Sequence, residues 1–184
     1  ASTEPLALVQ ETLIPALDEV GQQYEKGVLF LPQLLASADA AKACFERVRA
    51  HLQASGADKG PSRGRILMAT VKGDIHDIGK NIVKVVLENY GYEVIDLGRD
   101  VPVQTVVEAA RETKAPLVGL SALMTTTVAS MKETIEALKA AGLGCRTMVG
   151  GAVLTQEYAD EMGADFYAAD VQASVAIARE VFGA

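Results

Sequence analysis

From Arg65 onward, short runs rich in β-branched residues alternate five times with runs of helical periodicity. The pattern predicts strands over 66–71, 93–97, 117–122, 146–149 and 165–168, each followed by a helix, over 78–90, 103–113, 127–141, 156–162 and 171–182. A helix that returns the chain to the start of a neighbouring strand makes the two strands parallel. The expected architecture is therefore α/β, a five-stranded parallel, doubly wound sheet with helices on both faces. Ligands of such sheets sit beyond the carboxyl ends of the strands, near the topological switch point, so the loops after the strands are where chemistry is expected.

The region before Arg65 has a different period. Leu6, Val9, Leu13, Leu17 and Val20 form one helical stripe, and Leu34, Leu35, Ala38, Ala41, Phe45 and Val48 form another. Lys26-Gly27 ends the first helix, and Pro32 belongs in the first turn of the second. Residues 1–54 thus read as helical, 55–64 as a linker rich in small and polar residues, and 65–184 as the α/β domain. Two helices alone bury only one face each. Either a second copy of the chain completes a bundle, or the chain is a fragment that starts within one.

Composition removes several function classes. Hydrophobic residues make up 49% of the chain, enough for a sizeable aliphatic core. The formal net charge is -7 and no cluster of Lys and Arg appears, which disfavours nucleic acid as a partner. No apolar run approaches bilayer length and no basic leader is visible, so a cytoplasmic protein without membrane contact is expected. Cys44 and Cys145 are too few for a disulfide framework or a zinc site.

The loop after the first strand holds Lys72-Gly73-Asp74-Ile75-His76-Asp77-Ile78-Gly79-Lys80-Asn81. It is not a phosphate loop: Gly73 and Gly79 are one residue too far apart, Lys80 precedes Asn81 rather than Ser or Thr, and Asp74 and Asp77 would repel a phosphate. No dinucleotide fingerprint follows any strand. Asp74 and His76 instead form a ligand and its orienter, since a carboxylate two residues back can take the hydrogen bond from one ring nitrogen while the other faces a metal. The third strand runs into Ser121, Leu123, Thr125, Thr126 and Thr127, and the fourth into Gly150-Gly151, where absent side chains allow close approach. Small and hydroxylated strand ends suit a long polar ligand threaded into the sheet edge. A phosphoacceptor receiver domain would need an Asp after the third strand and a Lys after the fifth, whereas Ser121 and Ala168-Ala169-Asp170 stand there.

The set Asp74-x-His76-x-x-Gly79, Ser121-x-Leu123 and Gly150-Gly151 resembles the signature of cobalamin-binding domains that displace the cofactor's own lower ligand. Leu13-Ile14-Pro15-Ala16-Leu17-Asp18 and Phe30-Leu31-Pro32-Gln33-Leu34 resemble the helical cap of methionine synthases and corrinoid methyl-carrier proteins. Residues 69–86, 119–128 and 148–158 look closest in wording to cobalamin-dependent methionine synthase. The resemblance implies a flavodoxin-like, Rossmann-like sheet preceded by a small helical cap, part of a four-helix bundle. It also implies a cofactor, methylcobalamin or another corrinoid.

Residue by residue, the resemblance implies that His76 is the lower axial ligand to cobalt, that Asp74 orients it, and that Thr127 completes a proton relay where methionine synthase commonly has Ser. Gly73, Ile75, Asp77, Ile78 and Gly79 would pass along the corrin, with Leu123 and Thr126 beside them. Ser121 and Thr125 would line a slot for the displaced nucleotide tail, Gly150 and Gly151 would leave room for it, and Phe30 and Leu34 would cover the opposite face of the corrin. The implied activity is carriage of a methyl group between partner methyltransferase domains or subunits that supply the folate and homocysteine sites, without turnover by the chain alone. A reductive-activation partner and a homodimer through the cap belong to the same expectation. Two alternatives stand beside it: a stand-alone corrinoid shuttle for a methylamine, methanol or aryl-ether methyltransferase system, and a non-enzymatic cobalamin sensor or store.

Overall fold

The computed structural model describes residues 5–54 and 63–183. Two compact units divide the chain, Ala1–Gly56 and Ala57–Ala184. Most of the linker expected over 55–64 lies outside the described residues.

In the first unit, α1 (Pro5–Leu8) leads through a π-helical stretch, Val9–Leu13, into α2 (Ile14–Glu25), and α3 (Leu31–Ala54) packs against α2. The π stretch breaks the single helix expected from periodicity, and it falls directly before Pro15. A proline ring inside a helix clashes with the carbonyl four residues back, and widening the preceding turn relieves that clash. Gly27, at φ +70, stops α2 while the Val28 N–H returns to the Gln23 carbonyl at 2.9 Å. Phe30 opens α3, with the Gln33 side chain accepting its N–H at 2.8 Å and Pro32 in the first turn. Of the two apolar stripes, Ala41 and Val48 are buried, and Leu13 and Val20 are half-buried.

The second unit is the doubly wound sheet. Its elements run β1 (Arg65–Thr70), α4 (Ile78–Asn89), β2 (Glu93–Asp96), α5 (Val103–Thr113), β3 (Leu117–Ser121), α6 (Val128–Ala140), β4 (Arg146–Gly150), α7 (Gln156–Glu161), β5 (Phe166–Tyr167) and α8 (Val171–Phe182). All pairings are parallel and the strand order is β2-β1-β3-β4-β5, the flavodoxin-like order. α5 and α6 pack together on one face, α4 and α8 on the other. The core between the sheet and the first pair of helices is aliphatic: Leu67, Ala69, Val118, Leu120 and Val149 meet Val106, Ala110, Met131, Ile135 and Leu138. β5 is shorter than expected, although backbone hydrogen bonds to β4 continue on both sides of it, from the Asp165 N–H to Thr147 at 3.1 Å and from the Ala168 N–H to Val149 at 2.9 Å; the Asp165 carboxylate also accepts the Thr147 N–H at 2.7 Å and its hydroxyl at 2.9 Å.

Chain direction across the sheet reverses between β1 and β3, so the loops leaving these two strands flank the crevice of the switch point. Register brings Thr70, Ser121 and Gly150 side by side at that edge. Among the described residues, no helix is long and apolar enough to cross a membrane.

Candidate functional site

The loop leaving β1 begins with a tight turn. Asp74 N–H donates to the Val71 carbonyl at 3.0 Å, and Gly73 occupies the third position at φ +86, which a side chain would resist. The turn drives Asp74 into the protein, where it is 0% exposed. One carboxylate oxygen, Oδ1, accepts the His76 backbone N–H at 2.9 Å and pairs with the His76 ring at Nδ1 at 2.8 Å. The other, Oδ2, receives the N–H groups of Leu123 at 2.7 Å and Met124 at 3.2 Å and the Thr127 hydroxyl at 2.9 Å. A single buried carboxylate thus ties the loop after β1 to the loop after β3.

Burial by itself would raise the Asp74 carboxyl, but the N–H groups of His76 and Leu123, the His76 ring and the Thr127 hydroxyl outweigh it. They hold Asp74 well below the usual carboxylate range, so it is an anion at neutral pH. An anion at Nδ1 places the proton of a neutral imidazole on that nitrogen and leaves the lone pair on Nε2. His76 is half-exposed, and Nε2 has no protein partner among the described residues. The arrangement makes a directed, electron-rich nitrogen donor at the sheet edge.

Thr127 sits at the N-cap position of α6, yet its hydroxyl makes no cap hydrogen bond. Instead it lies 2.9 Å from Asp74 Oδ2 and 2.7 Å from the Met124 carbonyl, and one proton serves the two acceptors. Rotation about a single bond moves that proton between the carboxylate and a backbone oxygen. Ser121 is half-buried and shares a hydrogen bond of 2.8 Å with the Thr70 hydroxyl, while Thr125 and Thr126 are exposed in a short 3-10 turn. Gly151 has a reason inside the chain: a Cβ there would lie 1.8 Å from the Ala122 carbonyl oxygen. At Gly150 the same addition would come 3.1 Å from the Ala168 carbonyl.

His76, Asp74, Thr127, Gly73, Ile75, Asp77, Ile78, Gly79, Ser121, Leu123, Thr125, Thr126, Gly150 and Gly151 therefore share the carboxyl edge of one sheet. Phe30 belongs to the other unit, where its side chain is exposed, and the side chain of Leu34 falls outside the described residues. Three supports escaped the sequence reading. Thr70 partners Ser121. Asp100, on the loop after β2, holds the Gly73 N–H at 2.7 Å. Lys80, at the start of α4, is buried and paired with Asp96 at the end of β2, at 2.5 Å. Strand pairing alone could have nominated Asp96 and Asp100, since β2 lies beside β1.

A family model described as a B12 binding domain matches residues 64–176, and another of the same description matches residues 1–49. The chain belongs to the B12-binding family. Its cofactor is accordingly cobalamin or a related corrinoid. Over 180 residues the chain is 45% identical to dimethylamine corrinoid protein 2 of Methanosarcina mazei, covering 97% of this chain and 83% of the relative. The solved monomethylamine corrinoid protein of Methanosarcina barkeri matches with a TM-score of 0.89 at 31% identity, over 97% of this chain and 84% of that one. A chain of the methanol:cobalamin methyltransferase complex of Methanosarcina barkeri matches with a TM-score of 0.65 at 33% identity, over 98% of this chain and 68% of that one.

The residues present fit a B12 cofactor. Among the described residues of the second unit, the exposed large hydrophobic side chains are Ile75, Ile78, Leu123, Met124 and Tyr158; Ile75, Leu123 and Met124 lie on the two loops tied together at Asp74, and Ile78 is the first residue of α4, where the first of those loops ends. A broad apolar disk ligated at Nε2 is the kind of body that would remove such a cluster from water. Gly79 points the same way. It lies in the first turn of α4 without a positive φ, and a Cβ there would meet nothing within 4 Å. Neither backbone conformation nor packing within the chain explains a residue that costs a helix about 0.5–1 kcal/mol relative to Ala. Gly79→Ala is therefore expected to raise the melting temperature of the cofactor-free protein slightly while weakening cobalamin binding. Paired calorimetry and binding titrations check this; a variant that binds as tightly as wild type would remove Gly79 from the cofactor surface.

Proposed function

We propose that this chain is a corrinoid methyl shuttle of a methylamine methyltransferase system, and that the buried Asp74 and its pair with His76 at the switch point carry this reading. A bound corrinoid supplies the cobalt on which a methyl group rides. His76 would offer Nε2 to the cobalt, while Asp74 fixes the tautomer and strengthens the donor, and Thr127 holds the far side of the carboxylate with a proton it can redirect. Leu123 and Met124 anchor the β3 loop to the same anion, so the donor and the apolar rim move as one body. Ser121 and Thr125 would line the path of a displaced nucleotide tail, with Gly150 and Gly151 leaving room for it. Residues 1–54 would serve as a helical cap and residues 65–184 as the cofactor domain.

Similarity to proteins named for dimethylamine and monomethylamine supports an amine as the methyl source, as does coverage of more than four fifths of each of those relatives. It favours the stand-alone shuttle over the methionine synthase reading that motif wording alone had put first. The partners are a methyltransferase subunit that delivers the methyl group, a second that receives it, and a reductive activator. Loaded protein, reduced and mixed with dimethylamine and a cognate methyltransferase, is expected to take up one methyl group per cobalt, read by its visible spectrum. Uptake from methyltetrahydrofolate and its methyltransferase, with none from any methylamine, would overturn the proposal and restore the methionine synthase reading.

A further inference from the structure

The loop that carries Asp74 and His76 is gripped from outside by the connection that follows β2. The backbone of that connection runs beside the exit of β1: Leu97 N–H donates to Met68 at 2.8 Å, Thr70 N–H to Gly98 at 3.0 Å and Val101 N–H to Thr70 at 3.1 Å. One side chain goes further. Asp100 Oδ1 accepts the Gly73 N–H at 2.7 Å, and the Asp100 N–H donates to the Asp74 carbonyl at 2.9 Å. The first bond fixes the peptide entering Gly73, and the second fixes the peptide leaving Asp74. Between them, Asp74 N–H is held by Val71. Three successive peptide units are thereby locked around the residue that aims His76.

Asp100 adopts an unfavourable backbone to do this. Among the described residues only Asp100 and Lys114 combine a side chain with a positive φ, both at 52°. Lys114 ends α5, where a left-handed residue is ordinary. Asp100 ends no helix, and its conformation lets its N–H and its carboxylate converge on one turn. Strain of this kind persists where the surroundings impose it, and it clusters at sites of function. We propose that Asp100 is a positioning residue for the cobalt ligand, acting through the Gly73–Asp74 backbone to hold the His76 Nε2 donor in its working direction. The inference rests on the reading of His76 as axial ligand.

Three substitutions separate the contributions. Asp100→Asn keeps an oxygen acceptor and tolerates the left-handed backbone, Asp100→Gly keeps only the backbone freedom, and Asp100→Ala keeps neither. Each full-length protein is titrated with cob(II)inamide, which has no lower base of its own, and the nitrogen splitting in its electron paramagnetic resonance spectrum gives the His76-ligated fraction. Asp100→Asn is expected to stay within about 2-fold of wild type, whereas Asp100→Gly and Asp100→Ala lose about 10-fold or more in affinity, with a matching loss of the nitrogen splitting. Wild-type affinity and splitting in Asp100→Gly would overturn the inference. His76→Ala in parallel separates the two claims: if it retains the splitting, the ligand reading itself fails, and if it loses the splitting while Asp100→Gly does not, only the role of Asp100 fails. Should the Gly and Ala variants not fold, hydrogen exchange on wild type decides, since the Gly73 amide must be strongly protected before any cofactor is added. Rapid exchange there would contradict a preset loop.

Discussion

An Asp74→Asn variant is expected to lose about 2–4 kcal/mol of folding stability, far more than a substitution of equal size on the surface. The carboxylate accepts from donors on both oxygens: the His76 N–H and ring on Oδ1, and Leu123 N–H, Met124 N–H and the Thr127 hydroxyl on Oδ2. Whichever way an amide is turned, its NH2 group faces donors. If it faces Oδ2's partners, Thr127 can turn to the Met124 carbonyl, but the two backbone N–H groups have nowhere to go. Urea denaturation of the cofactor-free variant measures the loss, and a change below about 0.5 kcal/mol would mean that the interior at Asp74 admits water.

The same carboxylate sets an acid limit. Asp74 and Asp96 both titrate below the ordinary carboxylate range in the folded protein. For Asp96, burial acts upward, but the Lys80 hydrogen bond, the Gly98 N–H and the charges of Lys80 and Lys84 prevail. A depressed folded pKa means that the unfolded chain binds protons first. The stability these groups contribute is therefore complete above about pH 4 and is lost as pH falls through their folded values. Wild type should show this acid decline in denaturation midpoints, and Asp74→Asn should flatten part of it.

Asp96→Ala should cost a similar amount, about 3–5 kcal/mol, for a different reason. Lys80 is 3% exposed, and without Asp96 its ammonium keeps only the Asn81 side-chain oxygen at 3.1 Å. An uncompensated buried charge is far worse than no charge at all. The double variant Lys80→Met with Asp96→Leu is accordingly expected to recover most of the lost stability, because an apolar pair of similar volume often matches a buried ion pair. A double variant no more stable than Asp96→Ala would show that the pair serves a geometry that packing cannot replace. Lys80 opens the helix that follows the His76 loop, so cobalamin affinity should be measured on the same proteins.

Periodicity located every strand and helix of the α/β unit to within a few residues, because a parallel sheet buried on both faces writes long apolar runs separated by polar loops. It did not foresee the π stretch before Pro15, which arises from one ring meeting one carbonyl rather than from any repeat. Asp74 and His76 were legible as a pair because a carboxylate stands two residues before an imidazole on a strand-end loop, and Thr127 joined them only through the resemblance to cobalamin-binding domains. What could not be read was how far Asp74 would draw the two loops together, since the Leu123 and Met124 contacts use backbone N–H groups that any residue supplies. Asp100 was hidden for a related reason: its value lies in a left-handed backbone and a neighbouring strand, and the sequence displays it only as one acid among many. Gly151 shows the converse, a glycine with a packing reason at Ala122 in a place where a ligand had been expected to account for it.

The central claim, that Nε2 of His76 binds the cobalt of a corrinoid, is tested most directly by isotope. The chain contains only two histidines, His51 and His76. Protein carrying 15N-histidine and loaded with cob(II)alamin should replace the triplet splitting of the unlabelled sample by a doublet, in wild type and in His51→Ala alike. A triplet that survives labelling would show that the cofactor keeps its own base, and the account given for Asp74, His76 and Thr127 would then be wrong.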